Sequence, residues 1–293
     1  MDLKLRDRYD GFLFLAESRR KPPMLKSHHH VELELNLVTQ GSVTYIISDH
    51  RYTFPRGSML WIFPEQEHQL VDRTPDAGYY VAVFKPEMIE RSCRGELYAP
   101  LKHTNVEGEG VMSKLLKLET FDLLLRTMDA LMVDSLDADL LNREAGYGVE
   151  SDFRFEHGDP SALNAGLHHI LIQSWKAFCS SGQRADPVQL HPSIIKALSI
   201  LDDASVSLSV PEIARRGGVS ETYLSRLFKQ QVGVPINRYR NAARLRSFLE
   251  HYHQPVKRTI LECVYAAGFG SYAQFYKVFQ RHFGCGPREF LKV

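Results

Sequence analysis

Cysteine is scarce in this chain of 293 residues: there are four, Cys93, Cys179, Cys263 and Cys285, and no C-x-x-C among them. That scatter excludes a disulfide framework and a zinc ribbon, and it suits thiols kept reduced in a cytoplasm. Long apolar runs are missing as well. No stretch approaches the roughly eighteen residues a membrane-spanning helix needs. The opening M-D-L-K-L-R-D-R-Y-D is too charged for a secretory signal. No Ser/His/Asp or Cys/His pattern of nucleophile and base stands out, so nothing marks a covalent catalyst. The expectation is a cytoplasmic, non-enzymatic protein with no membrane partner.

Net charge is also nearly absent, +1 overall, but the total conceals an imbalance. From Asp186 to Val293 there are 15 Lys and Arg against 8 Asp and Glu, a net +7; residues 1–185 carry 21 against 27, a net −6. A basic C-terminal part fits a DNA partner, because phosphate neutralisation by Lys and Arg supplies most sequence-independent affinity. The length allows two domains.

What the basic part does contain is one unit written twice. S-V-P-E-I-A-R-R-G-G-V-S-E-T-Y-L-S-R-L-F-K-Q-Q-V-G runs from Ser209 to Gly233, and T-I-L-E-C-V-Y-A-A-G-F-G-S-Y-A-Q-F-Y-K-V-F-Q-R-H-F-G from Thr259 to Gly284. Glu212 matches Glu262 and Gly218 matches Gly268 at an offset of 50; one extra residue makes it 51 for Leu224 and Phe275, or Phe228 and Phe279. Each copy has its own punctuation. Ser209 with Glu212, and Thr259 with Glu262, fit capping boxes. Gly218 and Gly268 end the first helices, Ser220 and Ser271 cap the second, and Gly233 and Gly284 close them ahead of Pro235 and Pro287. Gln274, three residues past Ser271, predicts a further box. Helix, glycine turn and second helix make the DNA-binding motif whose second helix enters the major groove. The apolar stripe of those second helices, Leu224, Leu227 and Phe228 or Phe275, Val278 and Phe279, leaves an outward stripe. It holds Thr222, Ser225, Arg226 and Lys229 in the first copy, and Tyr272, Ala273, Tyr276, Lys277 and Gln280 in the second.

These residues resemble the C-terminal DNA-binding domain of AraC/XylS-family transcription regulators, over roughly Leu190 to Leu291. G-F-G-S-Y-A-Q-F-Y-K-V-F-Q-R-H-F-G-C-G-P-R-E-F is the most family-specific run. The resemblance implies double-stranded promoter or operator DNA as partner, read by two motifs joined through one long helix. Ile236 to His251 supplies that helix, with Tyr239, Ala243, Leu245 and Leu249 as its buried side. By position, the family's base readers fall on Thr222, Ser225 and Arg226, and on Tyr272, Ala273 and Lys277. Ala273 departs from the pattern, having little hydrogen-bonding reach.

The N-terminal part reads as short strands. Val31, Leu33, Leu35 and Leu37 alternate with Glu32, Glu34 and Asn36, the period of a strand with one apolar face. Gly41-Ser42 and Pro55-Arg56-Gly57 predict turns, Asp49-His50 a hairpin bend, and Met59 to Phe63 and Tyr79 to Phe84 buried strands. Closely spaced short strands imply a sandwich or small barrel. His28, His30, Glu34 and Gly41 form H-x-H-x3-E-x6-G, which resembles the first motif of the cupin barrel, and Pro64 to His68 resembles a shortened second motif. The resemblance implies that His28, His30, Glu34 and His68 hold a divalent metal. No glycine precedes His28 at the usual distance, and Gln66 stands where a glycine is common. A metal site and an organic-effector pocket therefore both stay open, the second preferred.

Between the two parts, Met112 to Leu125, Thr127 to Leu141 and Ser161 to Ser180 carry leucines and methionines at helical spacing. They predict helices that pack on the barrel or, as in relatives, pair two chains. Gly146 to Asp159 reads as a loop and Ser180 to Pro187 as a linker. The whole is expected to be an α+β chain: a cupin-like sensing β-barrel with flanking helices over residues 1–110, a helical dimerisation region over 111–181, and an all-α twin helix-turn-helix domain over 187–293. Its expected work is transcription regulation, activation by family resemblance, in answer to a small-molecule effector. A homodimer and RNA polymerase are the further partners implied. The alternative is a cupin metalloenzyme with a fused DNA-targeting module, which rests on the four ligand residues alone.

Overall fold

Apolar and polar residues alternate, and β-branched and aromatic side chains abound, through the first hundred residues. In the computed structural model, which describes residues 3, 5, 7–17, 26–105, 111–132, 158–180, 188–203, 208–254 and 258–291, that stretch becomes strands. They are β1 (Gly11–Glu17), β2 (Leu33–Gln40), β3 (Ser42–Ile47), β4 (His50–Pro55), β5 (Ser58–Ile62), β6 (His68–Arg73) and β7 (Gly78–Phe84). Later come β8 (Met112–Leu115) and β9 (Val188–Gln189). Among the described residues they form a five-stranded sheet, β1-β7-β2-β5-β8, and a four-stranded one, β6-β3-β4-β9. Leu35, Trp61 and Phe84 of the first and Val43, Tyr45 and Phe54 of the second share one core. An isolated bridge between His28 and His68 ties the approach to β2 to the start of β6, and so one sheet to the other.

Turn chemistry sets the register. Gly41 has φ +62 and a Cβ there would stand 2.2 Å from Thr74 Oγ1, so only glycine joins β2 to β3. The β3–β4 bend falls on Ser48 and Asp49, both at positive φ, one residue earlier than expected, and His50 already pairs with Ile47. β2 also differs from the one-sided strand its alternation suggests. It lies between β7 and β5 and is covered on both faces, so Glu34 and Asn36 are buried along with the leucines, while Val31 falls outside the strand and is exposed.

Around the sheets lie α1 (Pro86–Ser92), a 3-10 turn (Glu96–Lys102), α2 (Leu118–Met132) and α3 (Pro160–Ser180). Met112 to Leu115 is not the start of a helix: it is β8, pairing antiparallel with β5. Helical and strand spacing cannot be told apart over so few apolar residues, and a free sheet edge decides the matter. Phe121, Leu124 and Met128 of α2 and Leu167, Ile170 and Trp175 of α3 pack into the sheet core. The expected helix beyond Met132, the loop at 146–157 and the linker at 181–187 lie outside the described residues.

The C-terminal part is helical: α4 (Pro192–Asp202), α5 (Val210–Arg216), α6 (Glu221–Val232), α7 (Ile236–His253), α8 (Ile260–Ala266), α9 (Tyr272–Phe283) and α10 (Pro287–Leu291). The two helix-turn-helix units have separate cores. Leu224, Phe228 and Ile213 anchor the first, Phe275, Phe279 and Val264 the second, and α7 contributes Ile236 and Tyr239 to one and Leu245, Phe248 and Leu249 to the other. Its 18 residues span about 27 Å.

Candidate functional site

The reading helices are positioned by local chemistry repeated in both copies. Glu212 Oε2 accepts from the Ser209 N–H at 2.8 Å and Glu262 Oε2 from the Thr259 N–H at 2.7 Å, closing the expected boxes on α5 and α8. Ser220 Oγ accepts from the Tyr223 N–H and Ser271 Oγ from the Gln274 N–H, each at 3.2 Å. The box expected of Gln274 reaches one residue further back, to the Gly270 N–H at 3.2 Å, because the chain turns through Gly270 on its way into α9. Gly218, Gly233, Gly268 and Gly284 all take positive φ.

Thr222, Arg226 and Lys229 stand exposed on α6 with Ser225 half-buried beside them, and Tyr272, Ala273, Tyr276, Lys277 and Gln280 stand exposed on α9. One neighbour escapes a reading by spacing: Tyr223, whose ring lies 5.6 Å from the Arg226 guanidinium carbon and holds that side chain over the helix.

In the sensing part, His28, His30 and His68 converge, with one ligand atom from each within 4.8 Å of the others. His28 and His30 are not part of the strand that carries Glu34. His28 and His30 lie on an irregular approach to β2, His68 opens β6, and the backbone bridge between His28 and His68 brings them together. Glu34 of β2 completes the set, its Oε2 3.1 Å from His30 Nε2 and 3.7 Å from His68 Nε2. His29, between His28 and His30, stays exposed. Each converging imidazole uses Nδ1 on a backbone carbonyl two residues away: His28 on Lys26 at 2.8 Å, His30 on Glu32 at 3.0 Å, His68 on Gln66 at 3.0 Å. Asn36, unmarked by any motif, donates to Glu34 Oε1 at 2.6 Å and accepts from the Tyr45 hydroxyl at 3.2 Å.

Electrostatics divide the four groups. Burial lowers His28 to about 3, helped by the neighbouring His68, and lowers His68 as well. Burial acts the same way on His30, but its hydrogen bonds to Glu32 and Glu34 outweigh it and raise the imidazole to about 9. Burial would raise Glu34, yet the His30 hydrogen bond and the charges of His68 and His30 hold it at about 2. Next to the cluster is a cavity of about 390 Å³, bounded by His29, His30, Leu33, Ile89, Leu101 and Lys102. Lys102 pairs there with Glu90 at 2.7 Å.

The sensing part and the first reader are packed together. Ile46 and Val71 join the core of the first helix-turn-helix unit, and β9 adds to the edge of β4. Gln69, the residue after His68, donates to the Tyr239 hydroxyl of α7 at 2.6 Å; Tyr239 also meets Asp202 Oδ2 at 2.8 Å, and Arg246 meets Asp202 Oδ1 at 3.1 Å. Lys26, two residues before His28, pairs with Glu250 of α7 at 3.5 Å. Burial, with Asp202 beside it, raises the Tyr239 phenol well above its usual value, so it stays a neutral donor. These contacts join residues as far as 170 apart, beyond the reach of any spacing argument.

Comparison with known proteins agrees with both halves. Residues 20–147 match the model of an AraC-like ligand binding domain, and residues 213–292 match that of a helix-turn-helix domain. The chain is 23% identical over 276 residues to an uncharacterized HTH-type transcriptional regulator, YfiF, of Bacillus subtilis (strain 168), covering 91% of this chain and 78% of that protein. It is 29% identical over 97 residues to the probable transcription factor PqrA of Proteus vulgaris, covering 33% and 79%. Among solved structures, ToxT from Vibrio cholerae aligns at 12% identity and a TM-score of 0.33, over 96% of this chain and 98% of that one. The AraC-like transcriptional activator CuxR aligns at 13% and 0.36, over 89% and 83%. With a ligand-binding domain of the AraC kind in front and a capped twin helix-turn-helix behind, the chain belongs to the AraC/XylS family of DNA-binding transcription regulators.

Proposed function

We propose that this regulator is an effector-responsive activator whose His28, His30, Glu34 and His68 hold a divalent cation, and whose Thr222, Ser225, Arg226, Lys229, Tyr272, Ala273, Tyr276 and Lys277 face promoter DNA. One observation carries the metal reading. All three imidazoles are fixed through Nδ1 by backbone carbonyls, the Nε2 atoms of His30 and His68 lie beside the Glu34 carboxylate, and His28 brings a ligand atom within 4.8 Å of the other two histidines. Metal-ligating histidines are held in this way, tautomer and ring direction set by the outer hydrogen bond. Ligand atoms around one such ion lie roughly 3–4 Å apart, so a spread within 4.8 Å needs a small contraction. That orientation is the ground for preferring a metal here, against the organic pocket favoured on motif departures. Imidazole and carboxylate donors suit zinc, nickel, iron or manganese. When bound, the cation supplies the charge that draws the four side chains together; Asn36 keeps Glu34 in place, and the cavity beside His30 has the size of a small-molecule site.

Regulation follows from unequal affinity of the effector for two arrangements of the chain. Homodimerisation, by helices beside the sheets, and contact with RNA polymerase are the partners this reading adds. Elemental analysis of tag-free protein tests it: about one divalent ion per chain, lost in His68→Ala with the fold retained, and a promoter affinity that changes on chelation. Negligible metal, with an effector response altered by His30→Ala, returns the pocket to an organic ligand. Turnover of a small substrate that vanishes with the metal would instead support the metalloenzyme.

A further inference from the structure

The two reading helices are copies in geometry and not in chemistry. At the offset of 51, Ala273 takes the place of Thr222, Tyr276 that of Ser225, Lys277 that of Arg226 and Gln280 that of Lys229. Serine caps and left-handed terminal glycines are shared, so both helices present the same turn outward. The N-terminal turn of such a helix is the one that meets base edges. On α6 that turn offers hydroxyls and a guanidinium.

On α9 two side chains near this turn face back onto the chain. Gln274 spends its amide oxygen on the Gly270 N–H. Tyr276 leans over the turn into α10: a Cβ on Gly286 would lie 3.3 Å from its hydroxyl and 3.5 Å from Cε2. Tyr272 lies beside it, ring centroids 6.3 Å apart. At the start of α9 Ala273 stands exposed with only a methyl to offer, beside the exposed Tyr272 ring and with Lys277 one turn later.

The major-groove edge of the base pairs has one apolar feature, the C5 methyl of thymine. We infer that Ala273 is a specificity-determining residue, and that α9 selects thymine through van der Waals contact between the Ala273 methyl and the thymine C5 methyl. Base hydrogen bonding is then concentrated on α6, and Lys277 serves mainly the backbone. The inference rests on α9 being the second reading helix.

Deoxyuridine tests it, because replacing thymine by uracil removes that methyl and nothing else. A preferred site is selected by the full chain from random-sequence duplexes, and each thymine is replaced singly by deoxyuridine. Affinity is read by fluorescence anisotropy. One or two replacements, outside the positions whose preference Arg226→Ala relaxes, are expected to weaken binding about fourfold each. In Ala273→Gly the same replacements lose their effect. If that variant loses helicity, Ala273→Ser is used in the same cycle; it keeps a good helix start, and its preference moves away from thymine. Uracil replacements that are silent throughout, or equally costly in wild type and both variants, overturn the inference. So does a second half-site without thymine. A selection that yields no preferred sequence overturns the assignment of both reading helices instead.

Discussion

Arg226 is exposed, unpaired with any carboxylate among the described residues, and steadied by Tyr223, which leaves its fork of donors free for a guanine edge. Arg226→Ala is therefore expected to cost about 1–3 kcal/mol of site affinity and to relax preference at one or two base pairs, measured by titration against single-base site variants. Lys277→Ala should lower affinity with less change in preference, since an ammonium is a less directional donor. Leu224 belongs to another category: it is fully buried in the core of the first unit, so Leu224→Ala should remove about 2–5 kcal/mol of stability, seen as an early melting transition. Unchanged affinity and preference in Arg226→Ala would remove α6 from the groove. The cap serines, turn glycines and outward stripe were legible in the sequence because each depends on neighbours three or four residues away. Asn36, Tyr223 and Gln69 were not, because their roles come from partners that only the folded chain supplies.

The helices of the reading domain were legible as elements for the same local reason, and their capping boxes give a test with a sign. Hydrogen bonds from Ser209 hold the Glu212 carboxyl below its usual value, and those from Thr259 do the same for Glu262. A lowered carboxyl in the folded state means that its contribution is complete above the ordinary carboxylate value, about 4.3, and is lost as pH falls through the lowered one. Glutamine keeps an oxygen acceptor but not the charge that favours a helix N-terminus. The stability gap between wild type and the Glu212→Gln, Glu262→Gln double variant should thus be present in denaturant melts at neutral pH. It should close as the solution is acidified past about pH 4. A gap that stays constant into strong acid would mean the charges contribute nothing. The sheet elements were less legible. β9 is two residues long and exists because β4 offers an open edge, and Met112 to Leu115 shows helical spacing yet pairs with β5. In both cases a neighbour far along the chain overrides the local pattern.

At the scale of the molecule, the sensing part reaches the reading part on both flanks of the His28–His68 bridge: Lys26 precedes it and meets Glu250, and Gln69 follows it and meets Tyr239. Both partners lie on α7, the helix that joins the two readers. An isolated reading domain from about residue 186 would lose the cover of Ile46 and Val71 on its first unit. It should melt below the full chain and, without the helices proposed to pair two chains, sediment as a monomer that binds DNA more weakly. Within the full chain, Gln69→Leu is the sharper probe. In a strand, successive side chains face opposite sides, so His68 turns into the cluster while Gln69 turns out to α7, and leucine at 69 leaves the cluster's own residues untouched. Tyr239 keeps its bond to Asp202, and α7 keeps its place in both cores. What is removed is the polar link of β6, through Gln69, to Tyr239 of the helix between the readers and to Asp202. The variant should retain cluster occupancy and unliganded DNA affinity while the change in DNA affinity on loading or emptying the cluster shrinks. Titrating operator DNA against the wild type and the variant, each with and without chelator, measures the difference. A response as large in Gln69→Leu as in the wild type would mean that the two halves communicate by another route, through the shared core at Ile46 and Val71 or the pairing of β9 with β4.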